Sequence, residues 1–303
     1  MDKKLRLGPG DVDRWTYHCE SWYRFTLVQR YMASRGMTVK KAIDVGVNLG
    51  ITSAIMTRVF KEAQVIGFEV VPKYFDLAVE NLKRCGAHAE VRRQAITGQH
   101  LYEDDLCTKS LSEPRVLTLL LATGSPEGGD GWIGGSRVEG AAGGGPDADL
   151  HWYDPQQIDM APIELREVVG SLLKDSEDMI DFIKLDCEGC EYTSLSNLKE
   201  LAPRVRFMAG EYHDSNRFFP VVKELEKTHK VWLSGHHICG GFFCELRDDH
   251  SNPLLLKERS EKTIRYGRRR QEANDLIYPE PVDWNVWNPR WVPAPDLQDG
   301  RYL

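Results

Sequence analysis

Short apolar runs alternate with segments of helical periodicity over residues 42–96, and this alternation most constrains the fold. The runs at 42–45, 64–69 and 89–96 predict buried strands, and the segments at 51–61 and 72–85 predict helices between them. Strands that are separated by helices of about ten to fifteen residues imply crossover connections. This half of the chain therefore predicts a parallel sheet.

The same alternation resumes at residue 180 after a long interruption. The predicted strands are 180–186, 205–212, 231–233 and 242–246, with helices at 192–201 and 217–230. Only the short turn at residues 239–241 lies just before the last strand, so we expect that strand to pair antiparallel with 231–233. The fold class is then α/β, with a Rossmann-like, mostly parallel sheet of seven strands, an antiparallel last strand and helices on both faces.

Three further regions flank or interrupt this pattern. Residues 1–36 predict an N-terminal segment with one helix over 13–35. Its predicted buried face consists of Trp15, Cys19, Trp22, Phe25, Val28 and Met32. The main domain spans 37–250 and contains a glycine-rich insertion at about 99–160. Within it, 115–122 predicts a strand, whereas 124–145 has 10 glycines and predicts a mobile stretch without packed elements, either a linker or a lid.

The tail at residues 251–303 is rich in proline and tryptophan. Because Trp284, Trp287 and Trp291 would be costly to leave in water, we expect the tail to wrap the domain or a second subunit, which would make a homodimer. Trp132, inside the glycine-rich stretch, is a candidate contact for a ring or sugar of a substrate.

Charge, hydropathy and cysteine spacing disfavour several classes of protein. The formal net charge of −7 disfavours general nucleic-acid binding, and no apolar stretch approaches the ~18 residues of a membrane span. Seven cysteines at irregular spacing disfavour a disulfide scaffold and favour a reducing compartment. We therefore expect a cytoplasmic protein with no membrane partner.

Cys187 and Cys190 have the spacing of a metal or redox pair. They could bind zinc together with Cys239 and either His236 or His237, but the chain has no second pair with this spacing. The favoured interpretation is that both are free thiols that pack as small apolar side chains.

Residues 44–50 read Asp-Val-Gly-Val-Asn-Leu-Gly, at the turn from the first strand into a helix. Gly46 and Gly50 allow a ligand to approach the backbone closely, and the following helix start at 51–53 offers free amide groups. Glu69, at the end of the second strand, is at the right distance to accept hydrogen bonds from ribose hydroxyls. The glycine spacing departs from the dinucleotide pattern and indicates a nucleoside cofactor.

Four segments in order resemble the signature of the FkbM-type family of class I S-adenosylmethionine-dependent methyltransferases. They are 44–50, Phe-Glu-Val-Val-Pro at 68–72, Ile-Lys-Leu-Asp-Cys-Glu-Gly-Cys-Glu at 183–191, and Glu-Tyr-His at 211–213. Departures from the typical pattern occur at Val47, Val70, Cys187 and Cys190, and none removes a polar group. The resemblance covers residues 42–213, with weaker support to 247.

The resemblance implies S-adenosylmethionine as cofactor, S-adenosylhomocysteine as product, and a hydroxyl on a small molecule or glycan as acceptor. The implied cofactor-binding residues are Asp44, Gly46, Asn48, Gly50, Thr52, Glu69, Gln94, Ala95 and Asp186. Of these, Glu69 would hold the ribose, Gln94 and Ala95 the adenine, and Asp186 the amino group or the reacting methyl. Glu188, Glu211 and His213 would line the acceptor side.

His213 is the candidate general base, oriented by Asp186 or Glu211, because its ordinary pKa lies near neutrality. A simpler alternative is a structural histidine that is bonded to Glu211. A divalent ion held by Asp186, Glu188 and His213 is disfavoured, so we expect no metal. Lys184 either reaches the rim of its strand or forms a buried charge beside Asp186.

Two other functions stay open from the sequence. An amine or carboxylate acceptor would make the chain an N- or carboxyl-methyltransferase, and a domain without turnover would be a nucleoside-binding module.

Overall fold

The computed structural model describes residues 6–97, 115–122, 137–138, 153–160, 162–213, 215–235, 240–247 and 292–293. Its helices are α1 (Pro9–Tyr23), α2 (Phe25–Ser34), α3 (Ile51–Val59), α4 (Pro72–Cys85), α5 (Leu165–Leu172), α6 (Cys190–Leu198) and α7 (Ser215–Leu225), and a 3₁₀ turn spans Lys199–Arg204. Its strands are β1 (Lys41–Val45), β2 (Gln64–Glu69), β3 (Glu90–Arg93), β4 (Ile96–Thr97), β5 (Arg115–Ala122), β6 (Arg137–Val138), β7 (Tyr153–Met160), β8 (Ile163–Glu164), β9 (Ile180–Leu185), β10 (Val205–Tyr212), β11 (His229–Gly235), β12 (Gly240–Leu246) and β13 (Val292–Pro293).

The main sheet has the order β3-β2-β1-β9-β10-β12-β11, and β13 adds two residues at the outer edge of β11. Strands β3 to β10 in this order pair in parallel, and β12 runs antiparallel to both β10 and β11. The prediction of seven mostly parallel strands with an antiparallel last strand is therefore confirmed, including the hairpin of β11 and β12.

Alternate side chains of the strands supply two hydrophobic cores. On one face Ala42, Phe182 and Phe207 pack against α1, α2, α3 and α4. On the other face Ile43, Ile183 and Met208 pack against α5, α6 and α7. The period of two along buried strands thus places helices on both faces, as predicted.

The N-terminal segment forms two helices where the sequence predicts one. Arg24 has φ 60°, which ends α1 and begins α2. The buried Glu20 carboxylate accepts hydrogen bonds from the free amides of Thr26 (2.8 Å) and Leu27 (3.2 Å), so the side chain of α1 caps α2.

The break changes the buried face of α1. Val12, Cys19 and Tyr23 face the sheet, while Trp15 is 45% and Trp22 40% exposed. The prediction that both tryptophans are buried is wrong, because the apolar stripe of α1 does not continue in register into α2.

The third predicted strand is split. β3 ends at Arg93, and β4 belongs to a separate parallel pair with β8. Helix α5 was not predicted, although Leu165, Val168 and Val169 have helical spacing and are buried.

Part of the insertion forms a sheet of its own, in the order β6-β5-β7. The predicted strand at 115–122 is confirmed. The prediction that 124–145 holds no packed element is wrong at β6, which pairs with Leu119 and Leu120. β7 was missed because Pro155 and its polar neighbours disfavour a strand. Trp132 and the tail tryptophans lie outside the described residues.

No helix among the described residues has the length and apolar character needed to cross a membrane.

Candidate functional site

The predicted site residues meet at the carboxyl-terminal edge of the sheet. β1 and β9 are parallel neighbours, and the chain leads from β1 to β2 on one side and from β9 to β10 on the other. In an open α/β sheet, the carboxyl ends at such a switch in strand order form a ligand crevice. The ends of β1, β2, β9 and β10 carry Asp44, Glu69, Asp186 and Glu211 respectively.

Gly46 lets the loop after β1 lie directly against the end of β9. Its φ is 80°, and a Cβ there would lie 1.8 Å from the carbonyl oxygen of Asp186. The backbone amides of Gly46 and Val47 donate to the carbonyl of Phe68 in β2, at 3.0 and 3.1 Å. Gly50 (φ 88°) precedes α3. The loop is thus fixed between the two strands that flank β1.

Asp44 lies beneath this loop and is completely buried. Its Oδ2 accepts hydrogen bonds from Thr52 Oγ1 and Ser53 Oγ, both at 2.6 Å, and its Oδ1 lies 3.2 Å from the Lys184 ammonium. Asp44 and Thr52 therefore shape the loop from below and tie the start of α3 to β1.

Lys184 is a buried charge, which decides between the two alternatives left open by the sequence. Its side chain is 1% exposed, and its Nζ donates to the carbonyls of Val45 (3.2 Å) and Gly46 (2.6 Å). Burial lowers the pKa of Lys184, but the charges of Asp44 and Asp186 outweigh burial and raise it above its ordinary value. The ammonium therefore stays protonated and joins β1 to β9.

Glu69 is buried at the end of β2 and holds the loop from the other side. Its Oε2 accepts the amide of Asn48 (2.7 Å), and its Oε1 accepts the amide of Val71 (2.8 Å). Burial raises the pKa of Glu69, against these hydrogen bonds. The amide of Val70 is a third backbone partner, and a carboxylate with about four lone-pair sites could still accept a ligand hydroxyl.

Gln94 and Ala95 lie beside Glu69, just past β3. The amide of Gln94 donates to the carbonyl of Glu69 (3.2 Å), and the carbonyl of Ala95 accepts the amide of Ile163 (3.0 Å). The structure therefore brings both predicted adenine contacts to the same edge as the predicted ribose contact.

His213 follows β10 and lies among acidic side chains. Its Nδ1 is 2.8 Å from Oε1 of the fully buried Glu191, and its Nε2 is 3.1 Å from Glu188 and 3.9 Å from Glu211. Burial lowers the pKa of His213, but the hydrogen bond and charge of Glu191, with Glu188 and Asp186, raise it to about 10. The imidazolium is therefore the form present at neutral pH.

Glu211 differs from His213, because its pKa lies close to neutral pH. Burial and the charge of Asp186 raise the pKa of Glu211 to about 7, against the charges of His213 and Lys184. A carboxyl with that pKa changes its charge near neutral pH. Donor atoms of Asp186, Glu211 and His213 also lie within 4.8 Å of one another, a spacing that a divalent ion could use.

Two residues of the site were missed from the sequence. Glu191 is the last residue of the third motif, and that position was a usable signal. Tyr23 lies in α1, where no motif drew attention to it, and its hydroxyl donates to Asp186 Oδ2 at 2.8 Å.

A disulfide joins Cys187 and Cys190, whose Cα atoms are 5.4 Å apart. The prediction that both are free thiols is therefore wrong, whereas the prediction that they pack as small apolar side chains is confirmed. The spacing of a redox pair was the correct signal, and in this form neither sulfur is a thiolate that could bind zinc. Cys239, His236 and His237 lie outside the described residues.

No protein-family model matches the chain, and no curated protein matches it. The chain is similar to a number of solved structures, three of which are given next. Ribosomal protein L11 methylase from Lactobacillus delbrueckii subsp. bulgaricus is 10% identical, with 73% of this chain and 77% of that chain covered and a TM-score of 0.36. Human methyltransferase 10 domain containing protein is 9% identical (72% and 80% covered, TM-score 0.35). Cofactor-bound Rv0187 from MTB is 10% identical (74% and 78% covered, TM-score 0.37). Similarity at this level carries no argument about function, which depends on the contacts of the site.

Proposed function

We propose that the chain is an S-adenosylmethionine-dependent methyltransferase of the FkbM type that methylates a hydroxyl oxygen of a small molecule or glycan. One observation supports this most strongly. The glycine loop, Glu69, Asp186 and Glu211 come from four different strand ends and lie along one edge of the sheet, at the switch in strand order.

The donor set fits the cofactor. S-adenosylmethionine supplies an electrophilic methyl group on a sulfonium and carries an ammonium, so a crevice lined by carboxylates is complementary in charge. Glu69 has acceptor capacity for the ribose hydroxyls, and the loop that begins at Gly46 brings its backbone to the same place. Asp186, 26% exposed, is the carboxylate available for the cationic part.

The residues of the chain mainly align and desolvate the reacting groups. Methyl transfer needs the acceptor oxygen and the methyl carbon in line, and excluding water strengthens each charge interaction. Because Asp44 and Lys184 fix β1 against β9, the loop and Asp186 keep one relative position.

A hydroxyl acceptor also needs a base, and the pKa values of the two groups favour Glu211 for this role over His213. An imidazolium has no free lone pair, so His213 with a pKa of about 10 does not take a proton at neutral pH. Glu211, with a pKa of about 7, accepts one readily. In this proposal His213 is a cation that holds Glu188 and Glu211 in place.

Calorimetric binding of S-adenosylmethionine and S-adenosylhomocysteine tests the cofactor assignment, with and without EDTA. We expect wild-type binding that EDTA leaves unchanged and that Glu69→Ala weakens at least tenfold, ~1.4 kcal/mol or more. Glu62→Ala is the matched control, because Glu62 is an exposed glutamate that pairs with Lys40. If the wild type binds neither compound, the methyltransferase proposal fails.

An amine acceptor is the second candidate. The acceptor side has three partly exposed carboxylates, Asp186, Glu188 and Glu211, against one imidazolium, and this excess favours a cationic group. Turnover that survives Glu211→Gln would favour the amine, because an ammonium can lose its proton to solvent before the step and the resulting amine attacks with its own lone pair, whereas a hydroxyl needs a base during the transfer.

A further inference from the structure

Helix α1 brings one polar atom to the functional edge of the sheet. Tyr23 is the last residue of α1, and its hydroxyl donates to Asp186 Oδ2 at 2.8 Å across 163 residues of sequence. The Tyr23 side chain is buried, whereas 26% of Asp186 is exposed. The hydroxyl therefore reaches Asp186 from the protein interior and leaves part of the carboxylate open to the crevice.

The same carboxylate oxygen has a second interior partner. Lys184 Nζ lies 3.8 Å from Asp186 Oδ2 and 5.5 Å from the centre of the Tyr23 ring, so the ammonium touches both residues. Since both contacts fall on Oδ2, they fix the rotation of the carboxylate about its bond to the chain. A carboxylate that kept only the longer contact with Lys184 would be less restrained in that rotation.

The hydroxyl is not needed to fill space. The ring of Tyr23 packs against Phe25, with centroids 5.5 Å apart, and phenylalanine at position 23 would keep this contact. A buried phenol needs an acceptor, and the acceptor used here is the carboxylate at the switch between β1 and β9.

We propose that Tyr23 is a positioning residue that orients Asp186 toward the cationic centre of the cofactor, so that α1 completes the site. This inference rests on the proposed function, because it assigns Asp186 to the sulfonium or ammonium group. The main expected effect of this positioning is on how well the site distinguishes a charged cofactor from a neutral one. A correctly aimed carboxylate favours S-adenosylmethionine, which has a sulfonium, over S-adenosylhomocysteine, which has a neutral thioether.

The test measures the Kd ratio of these two compounds by calorimetry, which needs no acceptor. We expect Tyr23→Phe to reduce the preference for S-adenosylmethionine at least threefold, and Asp186→Asn to reduce it further. The double variant should resemble Asp186→Asn, because Tyr23 acts through Asp186. Tyr17→Phe makes the same chemical change on an exposed residue of α1 and should leave the ratio unchanged.

Three outcomes would overturn the positioning role. Equal weakening of both compounds by Tyr23→Phe would mean that the hydroxyl only supports the fold. An increased preference for S-adenosylmethionine would mean that the hydroxyl only reduces the charge of Asp186. Additive effects in the double variant would mean that Tyr23 acts independently of Asp186.

Failure of the proposed function gives a different result, in which the wild type binds neither compound. The contact between Tyr23 and Asp186 is then tested on the unliganded protein. Urea unfolding is measured for the wild type, Tyr23→Phe, Asp186→Asn and the double variant. If the effects of Tyr23→Phe and Asp186→Asn on the unfolding constant are coupled by at least fivefold, the hydrogen bond from Tyr23 restrains Asp186 as proposed. The absence of such coupling overturns the proposal.

Discussion

Asp44 and Glu69 lie under the glycine loop, buried and held by specific donors, whereas Asp186, Glu188 and Glu211 crowd the neighbouring strand ends in partial contact with solvent. We call the first pair the loop carboxylates and the second group the crevice carboxylates. The loop carboxylates accept hydroxyls and backbone amides at 2.6 to 2.8 Å. The crevice carboxylates face one another, with His213 between Glu188 and Glu211.

The loop carboxylates and the crevice carboxylates lie on the same edge of the sheet, but their negative charges have different effects. A buried carboxylate with fixed donors specifies backbone shape, because moving any partner leaves a charge without compensation. In the half-buried space of the crevice carboxylates, burial and the charge of Asp186 raise the pKa of Glu211, and the group keeps a negative potential for a ligand. The loop carboxylates should therefore control stability, and the crevice carboxylates should control rate and pH dependence.

Asp44→Asn should have the largest effect on stability. It removes the ion pair of the buried Lys184 ammonium, and breaking one side of a buried pair costs about 3–5 kcal/mol. Urea unfolding measures this loss. Asp13→Asn, at an exposed pair with Arg58, is the control and should cost less than about 1 kcal/mol. Equal losses in the two variants would contradict the assigned role of the loop carboxylates.

Glu211→Gln should affect rate and leave the fold intact. With an acceptor in hand, kcat should fall by about 10²–10⁴ while cofactor affinity changes little. Because the carboxylate is the active form, the wild-type rate should rise with pH through about 7, and it should fall as His213 loses its proton near pH 10.

The titration of Glu211 is measurable without an acceptor. Carbon-13 NMR of labelled glutamate carboxyls should give one signal that titrates near pH 7 and that is missing from Glu211→Gln. A wild-type spectrum in which every glutamate titrates below pH 5 would exclude Glu211 as the base.

Ser53→Ala should give the smallest change. It removes one of the two hydroxyls on Asp44 Oδ2 and leaves Thr52 in place, so the expected loss is about 1.5 kcal/mol of unfolding free energy. Cofactor affinity should stay within twofold of wild type. A loss as large as that of Asp44→Asn would mean that Ser53, rather than Lys184, is the main partner of Asp44.

The sequence predicted the central strands well because burial on both faces leaves a simple apolar signal. The glycine loop and Glu69 were predicted from their places at strand ends, and Asp186, Glu211 and His213 from the resemblance of their motifs, so their roles stay predictions. The sequence could not predict the break at Arg24, which depends on the Glu20 carboxylate reaching the amides of α2. It could not find Tyr23, whose partner lies 163 residues away.

The protonation of His213 was also beyond the sequence. An isolated histidine has an ordinary pKa near neutrality, and only the packing of α6 against the end of β10 adds Glu191 on one ring nitrogen. The motifs show which acidic and basic side chains are present. Whether His213 can accept a proton depends on its tertiary contacts.

The contact between Gly46 and the carbonyl of Asp186 limits how this loop can evolve. Any side chain at position 46 would push β1 and β9 apart and would lengthen the hydrogen bond from the Asp186 amide to the carbonyl of Val45. Positions 46 and 186 are far apart in sequence, but this contact constrains them together.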